Sequence, residues 1–203
     1  MPDNLSGYES KLKVVAVTKG RSTEDIIKIL KQTGIKRIGE NRLEEAEEKF
    51  EKLPRVEKHF LGKLQSRKIK KIVELFDVIQ TVENFEQAKR ISDCKKEIQV
   101  FIQVNISGQA NRSGVEPKDL KELIQKVKKL PYLKLEGVMG MASVDLKKLD
   151  REFALLKSLQ GDLSECSMGM SGDFELAIKK GSTMLRLGRV LFEEGLPNLP
   201  DFE

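Results

Sequence analysis

The sequence predicts an α/β protein built as a single (β/α)8 TIM barrel, and three observations lead there. Short apolar runs rich in Val and Ile alternate with stretches of helical periodicity, eight runs in all. No linker or shift of composition separates them, so residues 1–203 are expected to form one domain. The residues able to do chemistry fall at or near the ends of the apolar runs, the face on which barrels build their sites. Alternation of this kind implies parallel strands with right-handed crossovers, and 203 residues is at the short end of the barrel's range. The alternative, an open doubly wound sheet, would want a strand-to-helix glycine fingerprint after the first run, and none is present.

Leu12 to Val17 is a β-branched run ending in Thr18-Lys19-Gly20. Ser22 then opens a helix with Ile26, Ile27 and Leu30 on its apolar face and Gly34 closing it. Ile35 to Ile38 is the second strand, ending in Gly39-Glu40-Asn41; Leu43, Ala46 and Phe50 share one side of the helix after it. Lys58 to Leu61, ended by Gly62, is the third, and Ile69, Ile72, Val73 and Phe76 mark its helix. Val78 to Thr81 precedes a helix carrying Phe85, Ala88 and Ile91. Ile98 to Val104 is the longest strand and ends at Asn105. Pro117 suits the next helix start, where its missing N–H costs nothing, and Leu120, Leu123, Ile124 and Val127 form the face. Leu135 to Met139 is the sixth strand; Leu149, Phe153 and Leu156 line the helix behind it.

The last two strands come from Cys166 to Gly188, the most informative stretch. Cys166 to Met168 reads as a buried strand, and Met184 to Leu187 as another. Between them Gly169 and Gly172 bracket Ser171, which lets the backbone approach a ligand, and Ser171 is placed to cap the following helix. Phe174, Ala177 and Ile178 form that helix's face, and Gly181 suits its C′ position. A serine at a helix start beside a Gly-ended strand suits a phosphate. Arg186 argues against a purely structural strand–helix–strand, because a guanidinium inside an apolar strand is costly to bury unpaired.

Composition narrows the function. Hydrophobic residues make up 39% and charged residues 34%, as in a globular chain rich in surface charge. The net charge of +5 is too small and dispersed to imply a nucleic-acid partner. The two cysteines, Cys94 and Cys166, sit in elements expected to be buried, which favours a reducing cytoplasm over a disulfide. A single histidine with no Cys/His spacing argues against zinc. The first residues lack a signal-peptide pattern, and no apolar run reaches membrane-spanning length. A cytoplasmic protein without membrane contact is expected.

V-A-V-T-K at 15–19, G-E-N at 39–41, H-F-L-G-K-L-Q-S at 59–66 and V-N-I-S-G at 104–108 occur in that order. They are followed by S-M-G-M-S-G-D-F-E-L-A-I at 167–178 and G-S-T-M-L-R-L-G at 181–188. Together, over nearly the whole chain, this set resembles the pyridoxal-phosphate homeostasis proteins, which have the alanine racemase N-terminal barrel fold. The resemblance implies bound pyridoxal 5′-phosphate (PLP), held as a Schiff base on Lys19. It implies Ser171, Gly188 and the backbone of Arg189 around the phosphate, and Arg186 facing the pyridine nitrogen. Asn41, His59 and Met139 are similar to pocket-lining positions of the family. It further implies a non-enzymatic role in vitamin B6 and amino-acid balance, a monomer, and apo-PLP enzymes as recipients. Where many family members carry a Pro after the lysine, this chain has Gly20-Arg21; Glu193 and Arg112 stand where a Gly and a Lys are common.

The residues themselves agree with that reading. A Schiff-base lysine must spend time as a neutral amine, and one directly after a buried strand is placed for it. Arg186 cannot yield its proton under ordinary conditions and would keep a facing ring nitrogen unprotonated. Three other functions compete. An alanine racemase needs a second base, and the only tyrosines are Tyr8 and Tyr132. With the chain ending soon after the eighth strand, the racemase's second domain is expected to be absent. A Schiff-base aldolase would want an acid–base pair, for which Glu40 is the only obvious acid. Nucleic-acid contact through Arg67, Lys68, Lys70 and Lys71 lacks interleaved aromatics.

Overall fold

The strands carry little period-two alternation because both of their faces are covered: the segment Val78–Val82 is buried at every position. The computed structural model describes residues 12–143, 145–194, 197 and 199–202. Its strands are β1 Lys13–Val17, β2 Arg37–Glu40, β3 Glu57–Phe60, β4 Val78–Val82, β5 Ile98–Val104, β6 Leu133–Gly140, β7 Glu165–Ser167 and β8 Met184–Leu187. They close in sequence order into a parallel barrel, β8 returning to β1 with Val15 opposite Arg186. The helices between them are α1 Thr23–Thr33, α2 Leu43–Phe50, α3 Ile69–Leu75, α4 Phe85–Ser92, α5 Leu120–Val127, α6 Leu146–Gln160 and α7 Phe174–Lys179. The (β/α)8 barrel expected from the alternation is the fold observed.

Local chemistry explains the element ends. Ser22 caps α1 by accepting from the Asp25 N–H at 3.1 Å, and Gly34 closes it at φ +72°, its N–H on the Leu30 carbonyl. Ile29 is buried on that helix while Ile27 is only half-buried, so the inner face runs Ile26, Ile29, Leu30. Asn84 caps α4 through the Gln87 N–H at 3.0 Å. β7 begins one residue earlier than the apolar run suggested, because Glu165 pairs with Gly137 on β6. That pairing is tight: a Cβ on Gly137 would lie 2.1 Å from the Glu165 carbonyl oxygen. A π-helix, Val190–Glu194, follows β8 and was not legible in the pattern.

Two apolar layers result. The outer one lies between strands and helices; there Phe76 meets Phe50 and Phe60 edge to face, each at 5.2 Å between centroids. Each such fully buried side chain contributes about 1.5–3 kcal/mol. The inner one fills the barrel with Val15, Val78, Phe101, Met139 and Met184. The inward register also admits polar groups: His59, Gln80, Ser167 and Arg186 are all buried.

Candidate functional site

Four consecutive strands of the closed barrel, β7, β8, β1 and β2, carry Ser171, Gly188 with Arg189, Lys19 and Asn41 beyond their C-terminal ends. Adjacency in the barrel therefore gathers residues far apart in the chain at one part of the rim.

The backbone at Lys19 is tied down on both sides. Thr18 is fully buried, its hydroxyl 3.0 Å from Glu40 Oε2 and 3.2 Å from the Gly39 carbonyl. Gly20, at φ +68°, donates its N–H to Glu45 Oε2 at 2.9 Å. Lys49 on α2 joins the two halves, donating to Glu45 Oε2 at 2.8 Å, the Thr18 carbonyl at 3.2 Å and Glu40 Oε2 at 3.3 Å. The Lys49 ammonium and the Gly20 N–H hold the Glu45 carboxyl down at about 2. Lys19 itself is exposed and makes no ion pair among the described residues. The chain thus fixes the base of this lysine and leaves its arm free.

Ser171 was expected to cap α7. Instead Asp173 is the N-cap residue of α7, its carboxylate accepting from the Met170 N–H at 2.6 Å. The Ser171 hydroxyl oxygen turns to the end of β8, where it accepts from the N–H of Gly188 at 3.3 Å and of Val190 at 3.2 Å. Two backbone donors that converge on one oxygen at the end of β8 suit an anion, and this is the usual phosphate position of the barrel fold. Gly169 also has a packing role. It turns the chain at φ +97°, and a Cβ there would lie 2.6 Å from that of Ala177.

Arg186 is buried as the sequence implied, and its partners are neutral. Nη1 donates to Ser167 Oγ at 2.7 Å and Nη2 to the Gly140 carbonyl at 2.8 Å. Burial pulls its pKa down to about 10, opposed by Asp173, so the group stays charged at neutral pH. His59 lies fully buried inside the barrel, with Nε2 2.8 Å from Glu57 and Nδ1 2.8 Å from Gln80. Burial outweighs the attraction of Glu57 and keeps its pKa below the usual histidine range. Met139 is also buried in the barrel, one residue before the end of β6. Asn41 and Arg189 are exposed at the rim.

Gln80, Ser167, Lys49 and Glu45 were not singled out from the sequence. Gln80 offered only a weaker form of the Arg186 signal, an uncharged polar side chain within the apolar strand V-I-Q-T-V. Two departures from the family pattern meet at the rim: Arg21 pairs with Glu193 at 2.6 Å and stacks over Phe192 at 5.0 Å. The competing readings gain no support. Glu40 is engaged by Thr18, Lys49 and the N–H groups of Asn41 and Arg42, so it does not stand free as an acid. Lys68 and Lys71 pair with Glu44 and Glu47 on the neighbouring helix. Tyr132 precedes β6, at the opposite end of the barrel. Cys166 is buried with its thiol pushed up to about 12 by desolvation. Among the described residues no cluster could hold a metal ion, and no helix is long and apolar enough to cross a membrane.

The barrel and its rim match the family described as alanine racemase, N-terminal domain, over residues 3–194. Among curated proteins, the chain is 35% identical to the pyridoxal phosphate homeostasis protein of Pasteurella multocida, over 91% of this chain and 87% of that protein. It is 36% identical to the protein of the same name from Synechocystis, over 91% and 92%. Among solved structures, PipY of Synechococcus elongatus in a form without PLP superposes with a TM-score of 0.82 at 31% identity, covering 89% of this chain and 92% of that one. The same protein with PLP bound gives a TM-score of 0.81 at 29% identity, over 92% and 95%. An alanine racemase of Clostridium difficile shares the fold alone, at 16% identity and a TM-score of 0.75, with this chain spanning 58% of its length. The chain belongs to the alanine racemase N-terminal domain family and, within it, to the pyridoxal phosphate homeostasis proteins.

Proposed function

We propose that this protein binds pyridoxal 5′-phosphate at the rim formed by β7, β8, β1 and β2, and serves in intracellular PLP and amino-acid balance as a carrier or regulator rather than a catalyst. The observation that carries the reading is the pair of N–H groups, Gly188 and Val190, converging on the Ser171 hydroxyl directly beyond the buried Arg186. The donor set fits the cofactor: N–H groups and a hydroxyl for its phosphate, an amine for its aldehyde, a cation for its ring. PLP bound in PipY supports the same assignment.

When bound, the cofactor supplies an aldehyde that reacts reversibly with amines and a ring that can act as an electron sink. Lys19 is the amine placed to attach it, and Ser171, Gly188 and the Arg189 backbone would hold the phosphate. Asn41 would contribute from the rim, with Met139 and His59 supporting from inside the barrel. Arg186 only donates hydrogen bonds, so facing the ring nitrogen it leaves that nitrogen without a proton and weakens the ring as a sink. No tyrosine or reactive thiol stands opposite Lys19 among the described residues. One positioned acid–base group contributes about 10²–10⁴-fold, so lacking both base and sink leaves proton abstraction far below enzymatic rates. Free thiols at Cys94 and Cys166 accord with a reducing cytoplasm.

The test is incubation of PLP-loaded protein with L-alanine in deuterated water, followed by borohydride reduction and peptide mass mapping. The pyridoxyl mass should fall on the peptide containing Lys19, with α-hydrogen exchange slow or absent. Exchange at about 1–10³ per second, the range of working enzymes, would restore the racemase reading. A Lys19→Ala variant that keeps the same visible band would overturn the lysine assignment.

A further inference from the structure

A continuous line of hydrogen bonds runs through the barrel interior from Arg186 to the opposite mouth. Arg186 Nη1 donates to Ser167 Oγ at 2.7 Å, and Ser167 Oγ donates to Gln80 Oε1 at 2.7 Å. Gln80 Nε2 lies 2.8 Å from His59 Nδ1, and His59 Nε2 lies 2.8 Å from Glu57 Oε1. The four middle and inner members are buried; Glu57, at the start of β3, is half-buried and pairs with Arg37 at 3.1 Å. Glu57, Arg37, Lys13 and Glu165 border a cavity of about 180 Å³ at that mouth.

With the Gln80 amide oxygen toward Ser167, the links run in one direction. A guanidinium can only donate, so Ser167 accepts and has one proton left to give. That proton goes to Gln80 Oε1, which sets the amide orientation and turns its NH2 toward His59. Nδ1 of a neutral imidazole must then accept, and the ring proton must sit on Nε2. The carboxylate of Glu57, acceptor only, ends the line. The three dipoles of Ser167, Gln80 and His59 present their negative ends toward Arg186, which has no carboxylate within ion-pairing distance among the described residues. Hydrogen bonds aligned in this way polarise one another in a low-dielectric interior.

We propose that His59 and Glu57 are positioning residues that act through Gln80 and Ser167 to hold the buried Arg186 guanidinium in one orientation toward the cofactor ring. This rests on the PLP reading above. It gives the lone histidine a role without contact with the cofactor. His59→Gln preserves the role, since an amide both accepts from Gln80 and donates to Glu57. His59→Phe and Ser167→Ala each cut the line, the second with a small change of volume.

The test has two arms. The chain has one histidine, so ¹⁵N-imidazole NMR of the protein without PLP reports His59 unambiguously. One neutral tautomer protonated at Nε2 is expected at pH 7; a charged ring, or the Nδ1–H tautomer, overturns the proposal. In the second arm PLP is added and the visible band followed against pH. His59→Phe and Ser167→Ala should shift the midpoint of that titration by half a unit or more and weaken PLP binding roughly tenfold; His59→Gln should restore the parent profile. If the parent binds PLP and both line-cutting variants titrate like it, the positioning role is wrong. If the parent binds no PLP, the proposed function falls first and this inference with it.

Discussion

Replacing Glu40 tests whether the segment carrying Lys19, the proposed cofactor lysine, stands on a built foundation. The carboxylate is fully buried and holds the Asn41 N–H at 2.8 Å, the Thr18 hydroxyl at 3.0 Å and Lys49 Nζ at 3.3 Å. Breaking a buried pair so that one charge is orphaned costs about 3–5 kcal/mol. Here Lys49 keeps Glu45 at 2.8 Å and the Thr18 carbonyl at 3.2 Å, so the ammonium stays paired. What Glu40→Ala removes is the hydrogen bonding, about 1.5 kcal/mol for each of the two shortest charge-assisted bonds, or about 3 kcal/mol. For a chain of this size each kcal/mol moves Tm by about 2–4 °C, so a fall of about 6–12 °C is expected. Glu40→Gln keeps an acceptor for Asn41 and loses the charge, and should cost about half as much. Urea unfolding followed by circular dichroism measures both. A Glu40→Ala loss below about 0.5 kcal/mol, or a Gln variant as damaged as the Ala variant, would refute this account.

Two further outcomes follow from the same structure. Ser171→Ala should weaken PLP binding about ten- to a hundredfold by losing a hydroxyl contact to an anion worth about 1.5–3 kcal/mol, as equilibrium titration would show; unchanged affinity would remove Ser171 from the phosphate site. Stability should fall as pH drops below about 6.5, because the unfolded chain then takes up a proton that buried His59 refuses; the slope is at most about 1.4 kcal/mol per unit. Below about 4.5 the depressed carboxyls of Glu57 and Glu45 add in the same direction, with Glu45 contributing down to about pH 2. Melting curves against pH should lose the upper limb in His59→Gln, and a stability that rises between pH 6.5 and 5 would show the sign to be wrong.

The barrel was legible because a parallel sheet covered on both faces leaves continuous apolar runs, and the helices between them keep their 3.6 period. That same continuity hid the inner face. In β4 every residue is buried, so nothing in V-I-Q-T-V said that Gln80 points inward rather than being a tolerated polar residue. Arg186 stood out because a charge is far costlier to bury than an amide. The cap expected of Ser171 failed for a local reason: serine before an apolar helix is most often its cap, but here Asp173 precedes α7 and Ser171 reaches the end of β8. Lys49 and Glu45 form an i,i+4 pair on α2 that the spacing does show, but the reach of Lys49 to Thr18 and Glu40 on other segments has no sequence spacing to betray it.

The separation of a clamped backbone from a loose side chain at Lys19 bears on what can happen over time. Thr18 and Gly20 are both held by hydrogen bonds, while an exposed lysine side chain exchanges rotamers in picoseconds to nanoseconds, faster than loops rearrange. On the proposed function, capture of the cofactor would order the Lys19 side chain at an entropic cost of up to about 2 kcal/mol. Loading and unloading would then be set by the covalent bond and the phosphate contacts alone. On the proposed function, such a protein would act as a reservoir whose filling follows the free concentrations of cofactor and competing amines around it.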